Sequence, residues 1–409
     1  MNKSSVIIIG ASHAAAEACL ALRLQGWTGR IIVVGEESYL PYHRPPLSKD
    51  YFQGKLAADK LPIKSSAQYE SADIEFKLGQ RVTKIDRNTS SIKLESGETL
   101  AYTKLILATG TRARPLPTGD CELPNLYSLR TLDDVKSIRS NLDTGKKLLI
   151  IGAGYIGLEL AASAVKKGIQ VTVLESMDRV LARVTCAVVS EFYRDMHKNE
   201  GVDLRFNVVI DRFEKKSTGE TSVILGDGLR LYFDCVVAGI GVVPNSELAI
   251  DADIDCDNGI TVDQYTQTSD KDIYAIGDCS NHPNLFYKRQ VRLESVPNAI
   301  GQAKSSAASI CGTAIAYQQL PWFWSDQYNV KLQTAGLFND YDKAVVRGNI
   351  EERKFSVFYL KNGELIAIDS INSPAEFMLA KRFIPKRIKL SEKDITNMTL
   401  SSKALFSLS

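Results

Sequence analysis

The feature that most constrains the fold of this chain is a strand–turn–helix–strand unit that occurs twice. In each copy a short apolar run ends at a glycine, a helical stretch follows, and a second apolar run ends next to a glutamate. This order is typical of the βαβ unit of a parallel sheet. We therefore predict an α/β fold with two Rossmann-like dinucleotide-binding domains. The segments are Ser5–Gly10, Ala14–Leu24 and Arg30–Gly35 in the first copy, and Lys147–Gly152, Tyr155–Lys167 and Gln170–Glu175 in the second.

The second copy carries a complete G-x-G-x-x-G motif between its first strand and its helix. Gly152 permits the tight turn, Gly154 lets the backbone approach a diphosphate, and Gly157 lets helix and strand pack closely. The diphosphate is expected at the helix N-terminus, where free N–H groups and the helix dipole favour anions. Glu175 ends the second strand, and a carboxylate there accepts hydrogen bonds from ribose hydroxyls and repels a 2′-phosphate. The motif therefore favours NAD over NADP.

The first copy is a degenerate form of the same motif. Gly10 begins it, but Ser12 stands where glycine is usual, and Ala15 takes the third glycine position. Serine still allows fairly close approach of a diphosphate, alanine is an accepted variant at the third position, and Glu36 supplies the ribose carboxylate. Two dinucleotide sites in one chain imply electron transfer between two dinucleotides. Because an N-terminal FAD and an inserted NAD domain are the usual arrangement, we assign FAD to this copy.

Composition and charge argue against several other classes of protein. The hydrophobic content of 44% and charged content of 24% are ordinary for a globular protein, and a net charge of +2 argues against nucleic-acid binding. The apolar runs are too short to span a membrane and no signal peptide is visible, so we expect a cytoplasmic protein without membrane contact. The cysteines form no C-x2-C or C-x4-C pair and the histidines are dispersed, so we expect neither a redox dithiol nor a metal site.

The remaining segments indicate how the two sites are arranged along the chain. Leu105–Gly110 (LILATG) and Asp272–Gly277 both read as strands that end in a glycine turn, and Thr111–Pro117 has the two prolines of a linker. From Pro321 onward the chain becomes aromatic and shows alternating strand patterns at Lys354–Leu360 and Glu364–Ile371. We therefore predict a discontinuous FAD-binding domain (1–112 and 245–320), a NAD-binding domain (113–244) and a C-terminal α+β domain (321–409).

Several segments resemble one family of enzymes. Leu40–Lys49 (LPYHRPPLSK) is similar to the flavin-contacting segment of the oxygenase-coupled ferredoxin reductases, the family of putidaredoxin reductase and biphenyl dioxygenase ferredoxin reductase. The resemblance runs from the N-terminus to about residue 340. The family usually carries glycine where this chain has Ser12, and commonly glutamate where it has His43. Further segments similar to the family's signatures are Ala108–Gly110 (ATG), Ile276–Asp278 (IGD), Glu294–Ala299 (ESVPNA) and Pro321–Gln327 (PWFWSDQ).

The resemblance implies a set of site residues. Lys49 is expected nearest to flavin N5 with Glu159 as its catalytic partner, because a buried Lys–Glu pair keeps both groups charged where either alone would be costly. The helix after Glu294–Ala299 is expected to point its N-terminus at the flavin pyrimidine ring and to stabilise negative charge there. The expected FAD contacts are Gly10, Ser12, Ala15, Glu36, Arg44, Lys49, Val82, Ala108, Gly110, Asp278, Val296 and Trp324, and the expected NAD contacts are Gly152, Gly154, Tyr155, Ile156, Gly157, Glu175 and Arg183.

The resemblance also implies a flavoprotein reductase. Hydride is expected to pass from NADH to FAD, and electrons then leave singly to a small [2Fe-2S] ferredoxin that feeds a Rieske-type oxygenase or a cytochrome P450. Ferredoxins are acidic, and basic surfaces steer acidic partners, although basic runs are equally typical of an ordinary solvated surface. The two candidate docking runs are residues 288–292, with Lys288, Arg289 and Arg292, and residues 381–389, with Lys381, Arg382, Lys386, Arg387 and Lys389.

Other functions stay open at this point. A rubredoxin reductase is the nearest alternative, because the acceptor is chosen by a docking face that one sequence does not decode. A flavin-binding redox or interaction protein resembling apoptosis-inducing factor would turn over slowly with every acceptor, and an NADH oxidase would consume oxygen. Glutathione, lipoamide and thioredoxin reductases use a cysteine pair that this chain lacks, and Cys19 lies within the first predicted helix, so dithiol chemistry is disfavoured.

Overall fold

The structure is a computed structural model that describes residues 4–119, 121–216 and 219–408. Packing divides the chain into two units, each made of separate stretches of sequence. The first unit comprises Met1–His43, Asp59–Arg112 and Val243–Pro321, and the second comprises Arg44–Ala58, Ala113–Val242 and Trp322–Ser409.

Strands and helices are numbered separately in chain order. The described strands are β1 (Ser5–Ile9), β2 (Arg30–Gly35), β3 (Glu75–Leu78), β4 (Val82–Asp86), β5 (Ser91–Leu94), β6 (Thr99–Ala101), β7 (Lys104–Leu107), β8 (Thr111–Ala113), β9 (Leu126–Ser128), β10 (Lys147–Ile151), β11 (Gln170–Leu174), β12 (Asp203–Arg205), β13 (Ile210–Lys215), β14 (Thr221–Leu225), β15 (Arg230–Phe233), β16 (Cys235–Ala238), β17 (Val242–Pro244), β18 (Ile260–Thr261), β19 (Ile273–Ala275), β20 (Ser280–Asn284), β21 (Arg289–Arg292), β22 (Trp322–Gln327), β23 (Val330–Gly336), β24 (Lys343–Asn349), β25 (Lys354–Lys361) and β26 (Glu364–Ile371). The described α-helices are α1 (His13–Leu24), α2 (Ser66–Ser71), α3 (Leu132–Ser140), α4 (Tyr155–Val165), α5 (Ala187–Asn199), α6 (Glu247–Ile250), α7 (Val296–Ile310), α8 (Pro374–Phe383), α9 (Glu392–Thr396) and α10 (Ser402–Phe406). Short 3₁₀ turns lie at Pro45–Ser48, Ala58–Lys60, Gly277–Cys279 and Ile384–Lys386. None of the helices in the described part of the chain is long and apolar enough to cross a membrane.

The first unit is built on a five-stranded parallel sheet in the order β19-β7-β1-β2-β3. Strand β1, with the sequence SVIII, lies at its centre and is buried throughout. Because side chains alternate across a strand, Val6 and Ile8 face one core while Ile7 and Ile9 face the other. A parallel sheet that is covered on both faces requires such continuous apolar strands, which explains the absence of an alternating pattern here.

Two helices and a small antiparallel sheet cover the faces of this parallel sheet. Helices α1 and α7 pack over the Val6 face, where small residues such as Ala15 and Ala303 allow close approach. The β4-β5-β6 sheet covers the opposite face through residues such as Ile85 and Ile92. Because the strands run in parallel, the turns that follow β1, β2, β7 and β19 all lie at the same edge of the sheet.

The second unit contains a parallel sheet of the same plan, in the order β12-β11-β10-β16-β9. Helix α4 follows its central strand β10 and lies on the face of Ile150. The antiparallel β13-β14-β15 sheet covers the face of Leu149 and Ile151, with Phe213 and Val223 in the shared core. The internal repeat that the sequence predicts is therefore confirmed, because both copies fold as strand, glycine turn, helix and parallel strand.

The residues after Pro321 form a five-stranded antiparallel sheet in the order β22-β23-β26-β25-β24. Strands β25 and β26 are buried along nearly their whole length. Helix α8 packs against the sheet through Phe377, and its Phe383 ring lies 5.6 Å from that of Phe406 in α10. The predicted C-terminal α+β architecture is confirmed.

The segment Arg44–Ala58 belongs to the second unit, although in sequence it lies between strands of the first. The Arg44 guanidinium donates a hydrogen bond to the Arg130 carbonyl at 2.7 Å, and the Gln53 amide donates to the Ser163 hydroxyl at 3.1 Å. These polar contacts bind the segment to the turn before α3 and to α4. The three domains expected from the sequence are defined by ligand binding, whereas the two units are defined by packing. The three-domain division therefore stays a prediction.

The predicted elements are present with ends that differ by a few residues, with one exception. Thr111–Pro117 is predicted as a linker, but its first three residues form β8. The N–H of Arg114, just beyond this strand, donates to the Gly241 carbonyl at 2.9 Å. The segment therefore begins as a strand, since prolines further along do not prevent pairing at its start, and its role as a linker between domains stays a prediction.

Candidate functional site

Two glycine turns of matching geometry follow the central strands of the two parallel sheets. Gly10 has φ +109° and Gly152 has φ +103°, a region that glycine enters far more readily than other residues. The Gly10 N–H donates to the Val34 carbonyl of β2, and the Gly152 N–H donates to the Leu174 carbonyl of β11, both at 2.8 Å. A Cβ on Gly10 would lie 2.1 Å from the Ala108 carbonyl oxygen, and one on Gly152 would lie 2.5 Å from the Gly239 oxygen. Both turns therefore require glycine for conformation and for space.

The helices that follow these turns begin without a side-chain cap. Helix α4 has Gly154 as its N-cap residue, and a Cβ there would meet nothing within 4 Å among the described residues. Helix α1 has Ser12 as its N-cap residue, and the Ser12 side chain makes no capping hydrogen bond to the helix. Gly157 allows close packing, since its Cβ would lie 2.4 Å from the Gly152 oxygen, while the equivalent Ala15 is buried. Each helix start thus offers backbone N–H groups to an anion.

A carboxylate follows the second strand of each copy. Glu36 comes after β2, is exposed, and lies 3.5 Å from the Arg81 guanidinium. Glu175 comes after β11 and accepts hydrogen bonds from the N–H groups of Ala153 at 2.7 Å and Met177 at 2.9 Å. These two donors orient Glu175 and stabilise its negative charge beside the second glycine turn.

Asp278 lies at the edge of the first sheet where β19 ends, within the 3₁₀ turn Gly277–Cys279. The Thr111 hydroxyl donates to its carboxylate at 3.4 Å, and Arg292 donates to its backbone carbonyl at 3.1 Å. The N–H of Gly277 donates to the Gln302 side-chain oxygen at 2.7 Å, which binds the turn to α7. The half-buried Asp278 carboxylate is therefore held in a fixed position at the edge where Gly10 also lies.

The other predicted contacts in the first unit lie at the start of a strand, at the start of a helix and in a turn that follows a strand. Val82 begins β4 and is buried, and Ala108 and Gly110 belong to the turn after β7. Val296 begins α7, whose N-cap residue Ser295 accepts a hydrogen bond from the third helical N–H at 3.3 Å. Because Ser295 and a proline already satisfy part of this helix start, α7 offers fewer N–H groups to an anion than α1 or α4.

Three further predicted NAD contacts lie around the second glycine turn. Tyr155 and Ile156 are the first two residues of α4. The Tyr155 ring packs edge-on against Phe323 with ring centroids 4.6 Å apart, whereas Ile156 is 47% exposed. Arg183 lies near Gly241, where an added Cβ would come within 3.8 Å of its guanidinium. The exposed Ile156 gives this helix start an apolar surface next to polar backbone groups, which suits a planar ring joined to a diphosphate.

A buried ion pair lies within the second unit. The Lys49 ammonium is 2.7 Å from Glu159 Oε2, and the two side chains are 16% and 3% exposed. Lys49 Nζ also donates to the Pro45 carbonyl at 3.3 Å. Removing either charge from water is costly, and the partner compensates for that cost. The structure thus contains the Lys–Glu pair that the resemblance predicts.

Two serines that the sequence did not single out complete the surroundings of Glu159. Ser48 Oγ donates to Oε2 and Ser325 Oγ donates to Oε1, both at 2.6 Å. Together with Lys49 they give the carboxylate three donors where water has little access. Ser48 lies in PPLSK and Ser325 in PWFWSDQ, two segments that carry the family resemblance, and this resemblance is the sequence feature that points to them. No spacing rule joins residues 48, 159 and 325.

Arg44 and Trp324, two predicted FAD contacts, lie in the second unit. Arg44 makes its hydrogen bond to the Arg130 carbonyl, and Trp324 is half-buried on β22 with its ring 5.8 Å from that of Trp322. Both side chains are therefore positioned by protein contacts, and their contact with FAD is a proposal.

The seven cysteines are all free. Burial raises the pKa of Cys19 and of Cys235 to about 12, so both thiols are protonated at neutral pH and are poor nucleophiles. Among the described residues, no group of three or more side chains has the arrangement of a metal site.

Comparison with known proteins places the chain in a family. Residues 4–303 match the family described as pyridine nucleotide-disulphide oxidoreductase, and residues 322–406 match the reductase C-terminal family. Putidaredoxin reductase CamA of Pseudomonas putida is 43% identical over 389 residues, which is 94% of this chain and 92% of that protein. A rubredoxin-NAD(+) reductase of Pseudomonas putida is 38% identical over 370 residues, 90% of this chain and 96% of that protein.

A solved structure agrees with these matches. The crystal structure of the covalent putidaredoxin reductase–putidaredoxin complex contains a chain with a TM-score of 0.96 and 40% identity. The match covers 100% of this chain and 99% of the other. The two glycine turns, the Lys49–Glu159 pair and the antiparallel C-terminal sheet therefore all lie within the shared fold. This chain belongs to the pyridine nucleotide-disulphide oxidoreductase family and also carries a domain of the reductase C-terminal family.

Proposed function

We propose that the chain is an FAD-dependent reductase that passes electrons from NADH to a small [2Fe-2S] ferredoxin serving a cytochrome P450 or a Rieske-type oxygenase. The observation that carries the proposal is the pair of glycine turns with matching geometry, which gives one chain two dinucleotide sites. The extensive similarity to putidaredoxin reductase supports a ferredoxin as the acceptor. We also propose a cytoplasmic location, where NADH and soluble ferredoxins are both found.

The residues present in the first unit fit FAD. Gly10, Ser12 and Ala15 would bring the backbone and the α1 N-terminus to the diphosphate, because Ser12 does not cap that helix. Glu36 would accept the ribose hydroxyls, and Asp278 would accept the ribitol hydroxyls. Bound FAD would supply the chemistry that the side chains lack, since it takes a hydride from NADH and gives up electrons one at a time. We propose 1–112 and 245–320 as the domain for this cofactor.

The residues present in the second unit fit NADH. The space beside Gly154 and the N–H groups at the start of α4 would receive the diphosphate, and Glu175 would accept the ribose hydroxyls. We propose 113–244 as the NAD-binding domain and 321–409 as the C-terminal domain. We further propose that Lys49 is the catalytic cation and that Glu159 holds it, since three donors fix the Glu159 carboxylate.

The preference for NADH tests the role of Glu175. Replacing Glu175 by Ala should lower kcat/KM for NADH by roughly tenfold or more, because one lost charge-assisted hydrogen bond costs about 1.5–3 kcal/mol. The value for NADPH should rise or stay constant, because the repulsion of a 2′-phosphate disappears. Steady-state kinetics with both nucleotides gives the two values. Glu191→Ala, at an exposed position on α5, is the control, and an unchanged NADH-to-NADPH ratio in Glu175→Ala would contradict the assignment.

Part of the basic surface proposed for ferredoxin docking is already engaged. Arg292 pairs with Glu294 at 2.7 Å, Arg387 pairs with Glu364 at 3.1 Å, and Lys381 lies over the Trp322 ring. These contacts leave a smaller set of cations to meet an acidic partner. Arg382 and Lys386 lie over the Phe383 ring in the same way, at 5.6 and 4.8 Å from its centroid. Among the described contacts, the exposed members of the two runs without an ion pair or ring contact are Lys288, Arg289 and Lys389.

Transient kinetics with purified electron carriers tests the proposed function. NADH should reduce the bound flavin anaerobically, and an acidic [2Fe-2S] ferredoxin should then be reduced with a rate that falls about tenfold as salt rises into the molar range. An unchanged flavin spectrum under NADH would refute the whole proposal. A ferredoxin rate that ignores ionic strength would refute only the docking surfaces.

A rubredoxin reductase is the second candidate, favoured by the 38% identity with the rubredoxin-NAD(+) reductase. The same assay separates the two, because kcat/KM for the physiological class of carrier should exceed that for the other. Slow turnover with every carrier would favour the redox-sensing alternative, and rapid oxygen uptake would favour an NADH oxidase.

A further inference from the structure

Glu159 lies at one end of a chain of hydrogen bonds inside the second unit. Ser325 Oγ donates to Glu159 at 2.6 Å, and Gln327 Nε2 donates to Ser325 Oγ at 3.2 Å. The Gln327 side-chain oxygen lies 2.8 Å from His197 Nε2, and the Tyr328 hydroxyl lies 3.2 Å from His197 Nδ1. Ser325, Gln327 and His197 are buried, so water does not compete for these bonds.

An ionised Glu159 fixes the direction of every bond in this chain. Its carboxylate only accepts, so Ser325 must donate to it and can then accept from the Gln327 amide. The amide therefore turns its NH₂ group to Ser325 and its oxygen to His197, which must donate through Nε2. Burial lowers the pKa of His197 to about 4, so the ring is neutral at pH 7 and carries only this proton. Nδ1 is left to accept from the Tyr328 hydroxyl.

The donors from Tyr328 onward thus all point towards Glu159. Hydrogen bonds aligned in this way polarise one another and strengthen the stabilisation of the charge at their end. Burial raises the pKa of the Tyr155 and Tyr193 phenols, so both stay neutral and add no charge to the interior of this unit. The charge of Glu159 is accordingly balanced by Lys49 on one side and supported by the hydrogen-bond chain on the other.

We propose that His197 and Gln327 are positioning residues of the reductase, which fix the orientation of the Glu159 carboxylate so that it holds the Lys49 ammonium in place. The proposal rests on the proposed catalytic role of the Lys49–Glu159 pair. It adds two buried residues, from α5 and from the end of β22, to a site formed by Arg44–Ala58 and α4. Both act through Glu159 and neither is expected to contact NADH.

Three variants of the FAD-loaded protein test the proposal by stopped-flow reduction with NADH. In His197→Gln the new amide places a donor near the position of Nε2, so the rate at saturating NADH should stay within about twofold of wild type. In His197→Phe the donor is lost, and the rate should fall about tenfold. The Kd for NADH should be the same in both, since the glycine turn and Glu175 are untouched. Tyr193→Phe, also on α5, is the control, because its buried hydroxyl has no hydrogen-bond partner among the described residues.

A second measurement needs no substitution. The ¹⁵N chemical shifts of His197 in the wild-type holoprotein should show a neutral ring protonated at Nε2, with Nδ1 unprotonated, at pH 7. Equal rates in His197→Phe and wild type, equal losses in His197→Phe and His197→Gln, or a ring protonated at Nδ1 would each overturn the proposal. If Glu159→Gln is slow while His197→Phe is not, only this inference fails, whereas a wild-type rate in Glu159→Gln would remove its basis.

Discussion

Replacing Gly154 by Val is expected to raise the KM for NADH by about 100-fold or more while FAD stays bound. A Cβ at Gly154 meets nothing within 4 Å in the described structure, so the protein itself has room for the larger side chain. The valine would occupy the space proposed for the diphosphate and would keep it from the N–H groups of α4. Losing two charge-assisted hydrogen bonds costs about 3 kcal/mol or more, which corresponds to a factor of about 100.

The measurement is steady-state kinetics over a wide range of NADH concentration, with the flavin content and Tm recorded alongside. Gly154→Ala should give a smaller increase in KM, because the methyl group excludes less volume. Gly152→Val provides the contrast, since its Cβ would lie 2.5 Å from the Gly239 oxygen and should lower Tm itself. A Gly154→Val protein whose KM stays within threefold of wild type would show that the diphosphate lies elsewhere.

Replacing Lys49 by Met is expected to slow flavin reduction at saturating NADH by about 100-fold, which is the usual effect of removing one electrostatic group from an active site. The same substitution leaves Glu159, which is 3% exposed, without its cation. Breaking a buried pair in this way costs about 3–5 kcal/mol of stability. We therefore expect a lower Tm together with the slower reaction, and stopped-flow absorbance and thermal unfolding measure the two effects separately.

Two further variants separate charge from position. Glu159→Gln keeps the Lys49 charge but weakens its attachment, so its rate should lie between those of wild type and Lys49→Met. The double variant Lys49→Met/Glu159→Gln removes both charges, and it should recover part of the lost Tm without recovering the rate. Lys55→Met, at an exposed position of the same Arg44–Ala58 segment, is the control. If the double variant had no higher Tm than Lys49→Met, the two charges would not be coupled, and the prediction would be contradicted.

The parallel sheets and their glycine turns were predictable because local sequence determines them. A largely apolar run such as SVIII or KLLII can bury its side chains on both sides only inside a sheet that is covered on both faces. Gly152 has a positive φ, and a Cβ on Gly157 would clash with the Gly152 oxygen, so this turn needs glycine at both positions. The glycine motif therefore predicts the turn directly. Glu36 and Glu175 follow from counting to the end of the next strand.

The surroundings of Glu159 were not predictable from the sequence alone. Lys49 and Glu159 were paired only because their segments resemble a family, and Ser48 and Ser325 gave no separate signal. His197 was counted among dispersed histidines, since its partner Gln327 lies 130 positions away in sequence. Polar groups that meet through tertiary packing leave no periodic pattern, and a buried network is therefore visible only once the fold is known.

The three-part construction of the first unit has a consequence for how the protein is made. The outer edge of β7 pairs with β19, and α7 covers the same core as α1, yet both partners are translated only after the whole second parallel sheet. Until then the nascent chain carries an unpaired strand edge and a bare apolar face. The second parallel sheet can form during synthesis, whereas the first is completed only once the chain has been made as far as Ile310. Exposed strand edges and apolar faces of this kind favour aggregation of a partly made chain.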